Sequence, residues 1–468
     1  MARRVEGGVV NEAKVTTVAE RRLDGRGGRF LTSRRALGQL APRPEGADVV
    51  EILHRDDACR VDVLLELRSR RMAESPFSFF RGGALVMAED LARGPSSPWT
   101  VTSAGDAHLA NFGAYSSPER RIVFDLNDFD EGAKAPFEWD VKRLATSVVI
   151  AGAERGVVEH DRQRHLAERV AREYRRAMRR FADETRLEVW GATLDVAAVM
   201  NELRGEFSDA LRRRIADVLD HLQTRSDNEL TRRHVVDGDP PTIVEEPPHF
   251  AHESHPDSTG FGGEDALRVV EAYRSSLSSE HAALLDQFTP VDAARHVVGV
   301  GSIGVECWAV LLCGRDHRDT FMLQIKEATD SALDRVLERT GEDPGERVVR
   351  VQRLLQAAVD PFLGHARVRV GERDRSFYVR RLYDHRASVD VSRLTPDMLE
   401  AYGRVCAWVL ARAHARGGQA AEIAGYLGGS QGFDEAVATF ALDYRARNEE
   451  DFRTFTDSFP RSATTVAE

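Results

Sequence analysis

The alternation of apolar and polar residues divides the chain into a mixed region, a helical region, a β-rich region and a second helical region. From about residue 49 the pattern is helical, and over 62–72 Val63, Leu64, Leu65 and Leu67 stand among arginines. Residues 100–130 predict two short strands around a polar loop. Apolar residues returning at i, i+3 and i+4 predict a helix from 141 to 170 that continues through Tyr174, Met178 and Phe181. Helical patterning then persists to about 223. The Gly- and Pro-rich run 237–263 is the clearest loop, and 263–285 reads as a helix. Strand-like segments follow at 297–312, 321–326, 366–370 and 377–383, with a helix near 345–358 between them. Residues 395–415 and 432–455 are helical, and no repeat of solenoid period is present.

Composition narrows the class. A chain of 468 residues accommodates two or three domains, or one two-lobed enzyme with a cleft between its lobes. The mean hydropathy of -0.39 and a charged fraction of 30% are those of a water-soluble globular protein. A net charge of -11 argues against a globally basic nucleic-acid binder. Cys59, Cys307, Cys313 and Cys406 form no CxxC pair, so neither a zinc finger nor a disulfide framework is expected. With no signal-like or membrane-spanning apolar run, the expectation is a cytoplasmic protein without a membrane partner. Residues 1–45 hold ten Lys/Arg against five Asp/Glu and many glycines, which predicts a basic, flexible segment.

Candidate chemistry begins in the polar loop Gly105-Asp106-Ala107-His108-Leu109-Ala110-Asn111. An Asp followed five positions later by an Asn is the spacing that brings a base and a magnesium ligand to one point. Alone it describes many polar turns. Its neighbours add content, because Asp125, Asp128, Asp130 and Glu131 crowd the end of an apolar strand and repel one another unless solvated, hydrogen-bonded or bound to a cation. Further on, Gly299-Val300-Gly301-Ser302-Ile303-Gly304 lies between strand-like runs, which fits a glycine-rich β-hairpin better than a strand-to-helix dinucleotide turn. Lys326 ends the apolar strand 321–326, in the position of a phosphate-binding lysine. Glu346 is the first choice for its acidic partner, with Gln352 and Glu338 as competitors.

The strings Gly105-Asp106-x-His108-x-x-Asn111-Phe112-Gly113, Asn127-Asp128-Phe129-Asp130-Glu131 and Pro136-Phe137-Glu138-Trp139-Asp140-Val141-Lys142-Arg143-Leu144 resemble the bacterial family known as domain of unknown function 2252. More distantly they resemble the aminoglycoside and choline phosphotransferases of the protein-kinase-like superfamily. That resemblance implies an α+β, two-lobed kinase-like fold with a large helical lobe and a smaller antiparallel β lobe. It implies Asp106 as catalytic base, His108 beside it in the motif, Asn111 and Asp128 as magnesium ligands with Asp125 and Asp130 as rivals, and Asp140 as the carboxylate that steadies the loop. Gly299, Gly301, Ser302, Gly304, Lys326 and Glu346 would serve the nucleotide. Ala104 departs from the phosphotransferase pattern, where a His precedes the Gly-Asp pair, and this removes one support of the loop.

The motifs also stand in an unusual order. The helix ending Leu410-Ala411-Arg412-Ala413-His414-Ala415-Arg416-Gly417 is similar to the phosphotransferase helix that runs into the catalytic loop, yet here that loop lies near Gly105. Circular permutation accounts for this, with 46–290 carrying the catalytic loop, metal strand and helical lobe, 291–385 the nucleotide-binding β lobe, and 386–468 helices returning to the helical lobe. The implied activity is ATP- and Mg²⁺-dependent phosphoryl transfer to a hydroxyl of a small molecule or protein. The alternatives are AMP transfer on the same fold, or a nucleotide-binding regulatory module without catalysis.

Overall fold

The computed structural model describes residues 16–58, 60–194, 231, 233–247, 249–252, 260–297, 304–337, 341–382 and 386–458. The predicted helical stretch approaching 223, and Gly299, Gly301, Ser302, Glu338 and Tyr383, lie outside them.

Of the basic segment expected to be flexible, residues 1–15 lie outside the described residues, and the rest packs on the helical lobe. A reciprocal cap between Thr17 and Glu20 starts helix α1 (Val18–Leu31), which lies against α14 (Ala420–Leu427). Gly25 makes that approach possible, because a Cβ there would stand 1.9 Å from the Glu422 carbonyl oxygen. Arg29 donates to the Tyr426 carbonyl at 2.8 Å, and Arg34 to that of Leu427, capping the carbonyl end of α14. The glycines and arginines that suggest disorder thus serve close packing and capping.

Helices α2 (Val49–Asp57), α3 (Asp62–Met72), α4 (Pro76–Gly82) and α5 (Ala84–Arg93) begin the helical lobe. Four short strands follow where two were expected: β1 (Thr100–Ser103), β2 (Phe112–Ser116), β3 (Ile122–Leu126) and β4 (Ala133–Pro136). β1 pairs with β4 and β2 with β3, both antiparallel, so the loops after β1 and β3 emerge side by side. Helix α6 (Phe137–Glu154) is buried from Phe137 through Gly152 and forms the axis of the lobe. The long helix expected to run on to Phe181 is two helices. Gly156, at φ +82°, breaks it before α7 (His160–Phe181). A short α8 (Arg186–Gly191) follows.

Within the predicted loop 237–263 the chain forms two-residue strands β6 (Thr242–Ile243), paired with β5 (Val235–Val236), and β7 (Phe250–Ala251), which joins the edge of the main sheet. A 3₁₀ turn at Arg274–Ser276 divides the next expected helix into α9 (Gly263–Tyr273) and α10 (Ser279–Leu285).

The β lobe comprises β8 (Thr289–His296), β9 (Cys307–Cys313), β10 (Thr320–Ala328), β11 (Gly364–Val370) and β12 (Arg373–Arg381), with α11 (Ala332–Val336) and α12 (Pro344–Leu355) between β10 and β11. The sheet runs β11-β12-β10-β9-β8-β7, antiparallel throughout. Strand alternation sorts its two faces. Trp308, Val310, Leu323, Ile325, Phe377 and Val379 pack with Val269, Val270 and Tyr273 of α9 in one apolar core, so α9 packs with this lobe although it precedes 290. Gln324 and Lys326 occupy the other face, directly across from Arg380 and Tyr378. Strand β13 (Arg386–Ser388) returns the chain to β2, and α13 (Pro396–Arg416), α14 and α15 (Gly432–Ser458) complete the helical lobe. Among the described residues no helix is long and apolar enough to cross a membrane.

Candidate functional site

The loop after β1 hangs from Asp140, in the first turn of α6. Its carboxylate accepts from the Ala104 N–H at 2.7 Å, the Gly105 N–H at 3.0 Å and His414 Nε2 at 3.1 Å. Burial pushes this carboxyl up, but the bonds from His414 and the loop outweigh it and hold it below the ordinary carboxylate range. His414 Nδ1 meets the Tyr174 hydroxyl at 2.8 Å, which fixes the ring. An imidazole from α13 therefore helps to hold the turn. Gly105 has φ +79°, and a Cβ there would fall 1.9 Å from the Glu131 carbonyl oxygen, so the turn requires glycine.

Asp106 faces Arg143, whose Nε donates to Oδ1 at 2.8 Å. Asn111 Nδ2 donates to the Asp106 carbonyl at 2.8 Å and to Oδ2 at 3.3 Å, leaving the Asn111 amide oxygen as an acceptor. Burial raises the Asp106 carboxyl against the pull of Arg143. His108 Nδ1 accepts from the Ala110 N–H at 3.2 Å and its Nε2 lies 3.5 Å from Asp106. Burial, then Arg81 and Arg143, push it well below the ordinary histidine range, so the ring is a neutral brace of the turn.

The structure separates the four carboxylates after β3. Asp125 turns inward to Arg412 at 2.6 Å and accepts from the N–H groups of Ala357 and Leu126 at 2.7 and 2.8 Å, a buried strut between β3 and α13. Asp128, Asp130 and Glu131 face the cleft. Asp128 accepts from the Asp130 N–H at 3.2 Å; burial and then the Asp130 charge raise its carboxyl, with Lys326 and Arg380 opposing. Glu131 is pushed up to about 7 by burial and by the charge of Asp56. Asp130 forms an ion pair with Lys326, 196 positions away. Burial would raise Asp130, but Lys326 outweighs it and holds the carboxyl low; burial would lower Lys326, but Asp130 outweighs that and holds the ammonium charged.

Glu346 is not the partner of Lys326. It is exposed at the start of α12, where Asp343 caps its N–H, while Gln352 bonds Gln356 at 2.8 Å. The partner lay within the acidic run already singled out. Of the glycine loop only Gly304 is described, at φ +102°, its carbonyl receiving the Val61 N–H. Four arginines absent from the sequence-predicted set also belong to this region: Arg81, Arg143, Arg380 and Arg412. Arg143 stands within a motif string, whereas nothing in sequence marks Arg81.

Two adjoining hollows share Asp56, Arg60, Asp130 and Glu131. One continues to Ala328 and Val348, the other to Asp106, Asp128 and Arg81. Among the described residues no three His, Cys, Asp or Glu side chains are grouped to hold a metal by themselves. Asn127 Oδ1 and Asp130 Oδ1 are nevertheless buried without a hydrogen-bond partner. With Asp128 beside them and the Asn111 amide oxygen left as an acceptor, these oxygens fit Mg²⁺, which takes one or two protein oxygens and fills its octahedron with phosphate and water.

Fold and site together define an α+β protein whose helical and antiparallel β lobes enclose an acidic, arginine-lined cleft. The chain belongs to the family of uncharacterised proteins conserved in bacteria, DUF2252, matching it over residues 60–458. No curated protein and no solved structure matches it.

Proposed function

We propose that this protein is an ATP- and Mg²⁺-dependent phosphotransferase of kinase-like, circularly permuted architecture. The observation that carries the reading is the meeting of Lys326 with Asp130, a carboxylate that lines the cleft together with Asp128 and Asp106. Order within the β lobe supports it. β8 and β9 flank the glycine segment, Lys326 lies on the third strand, and a helix precedes the last two strands. Support for permutation comes from α13, which delivers His414 to the carboxylate that holds the Gly105 turn although the two segments are far apart in sequence.

In this reading Lys326 exchanges Asp130 for nucleotide phosphate oxygens, while Asn111 and Asp128 are the protein oxygens that would hold Mg²⁺, with Asp130 beside them. Magnesium, when bound, supplies charge neutralisation on the phosphates. Asp106, oriented by Arg143 and Asn111, accepts the proton of the acceptor hydroxyl. The acceptor oxygen bonds to the γ-phosphorus as the bond to the β–γ bridging oxygen breaks, and that electron pair leaves with ADP.

The test incubates the full chain with ATP, Mg²⁺ and a bacterial metabolite extract, following ATP loss and new phosphorylated masses. Turnover that Asp128→Ala abolishes is expected. Full turnover in that variant would overturn the assignment, and a mass gain of AMP would redirect it to nucleotidyl transfer.

A further inference from the structure

Arg81, on α4, has a different environment from the other arginines of the cleft. Arg143 is saturated: it donates to Asp106 and, at 2.8 Å, to the Phe80 carbonyl, and its guanidinium lies 4.0 Å from the Phe80 ring centroid. Arg60 is held by Asp56 at 2.8 Å and lies 3.4 Å from Asp57. Arg81 makes no ion pair or hydrogen bond with the described residues, and its Nε is buried without a partner. It nonetheless lines the hollow that contains Asp106 and Asp128. Burial lowers its pKa while the charges of Asp106 and Glu74 oppose that.

A half-buried guanidinium without an ion pair among the described residues keeps its planar fork of donors for a carboxylate or phosphate. Position selects which anion. Lys326 and Arg380 lie on the β lobe, which in the phosphotransferase reading is the nucleotide side. Arg81 approaches from the helical lobe, beside the base. Resting on that reading, we propose that the acceptor is an anionic alcohol, a hydroxyl compound carrying a phosphate or carboxylate, and that Arg81 receives the anionic group while Asp106 faces the hydroxyl. This makes Arg81 a specificity-determining residue with no part in holding the nucleotide.

The test titrates inorganic phosphate into the full chain without nucleotide, by calorimetry, for the wild type, Arg81→Gln, Arg81→Lys and Lys326→Met. Circular dichroism melts confirm that each variant folds. Saturable phosphate binding is expected in the wild type and in Lys326→Met, weakened at least tenfold in Arg81→Gln and less in Arg81→Lys, which keeps the charge but loses the fork. A parallel titration with Mg-ATP should give the same affinity for the wild type and Arg81→Gln. Absent phosphate binding, or phosphate binding that ignores Arg81→Gln, overturns the proposal. An equal loss of ATP affinity in Arg81→Gln also overturns it, because Arg81 would then belong to the nucleotide. If the wild type binds phosphate through Arg81 but no ATP, the phosphotransferase reading fails while the anion site stands.

Discussion

Replacing Asp125 and Asp128 separately by asparagine distinguishes a structural carboxylate from a functional one three positions away. Asp125 and Arg412 are each 1% exposed, and their 2.6 Å contact is accompanied by two backbone N–H groups donating to Asp125. Asp125→Asn keeps the shape but leaves a buried guanidinium without its anion, a loss on the order of 3–5 kcal/mol. Asp128 has no such contact, and its nearest charge relations include repulsion from Asp130. Asp128→Asn therefore changes stability by less than about 1 kcal/mol, and the sign can favour the variant. At roughly 2–4 °C per kcal/mol for a body of this size, the melting midpoint falls by roughly 6–20 °C for Asp125→Asn and by at most a few degrees for Asp128→Asn. Differential scanning fluorimetry with and without Mg-ATP supplies both readouts, since only Asp128→Asn should keep the apo midpoint while losing the nucleotide-induced rise. An Asp128→Asn variant as unstable as Asp125→Asn, or an Asp125→Asn variant with an unchanged midpoint, would refute the division of roles.

Asp140→Ala strands the N–H groups of Ala104 and Gly105 and the His414 ring, costing about 3–9 kcal/mol at 1–3 kcal/mol per unmet buried group; hydrogen exchange should show the 104–106 amides losing protection first. Lys142 is buried over the Phe440 ring, 4.4 Å from its centroid, and burial pushes its amine down to about 8. Its folded pKa lies below its unfolded value, so its cost is full below pH 8 and relieved as pH rises toward 10.5. The charge of Glu138 opposes that burial, so Lys142→Met is read by its pH profile: the wild-type melting midpoint should rise between pH 8 and 10.5 relative to the variant, whose midpoint lacks that rise. His252 contacts Glu245 at 2.6 Å and Asp292 at 2.9 Å; partial burial would lower it, but the two carboxylates outweigh this and raise it. Its folded pKa is the higher one, so the clamp is complete below the ordinary histidine range and lost as pH rises through the raised value. Amide exchange at 242–251 should accelerate over that rise, and His252→Gln should remove the pH step.

Much of the candidate site was legible because its polar groups stand in short loops after apolar strands or on such a strand itself, a local pattern. Asp106, Asn111, Asp128 and Lys326 were visible this way, and Asp140 through its motif. What required the fold was direction. Asp125 and Asp128 look equivalent in sequence, and only the packing of α13 against β3 shows that one points to Arg412. Glu346 was a plausible partner for Lys326 on helical grounds, but spacing does not reveal that it faces solvent. Glycine misled at both scales. Gly25 permits close helix packing where composition suggested a loose tail, and Gly156 divides a helix whose periodicity runs on across the break. Arg81 had no signal, because an arginine on a short helix becomes informative only when its anions are counted.

The central claim is that Lys326 and Asp128, brought together from opposite lobes, form one Mg²⁺-dependent nucleotide site. Calorimetric titration of ATP into the full chain, with Mg²⁺ and with Mg²⁺ chelated, tests it most directly when repeated on Lys326→Met and Asp128→Asn. The account predicts one saturable site per chain, weakened at least tenfold by chelation and by either substitution. Absence of ATP binding up to millimolar concentration, or binding indifferent to magnesium and to both substitutions, would contradict it.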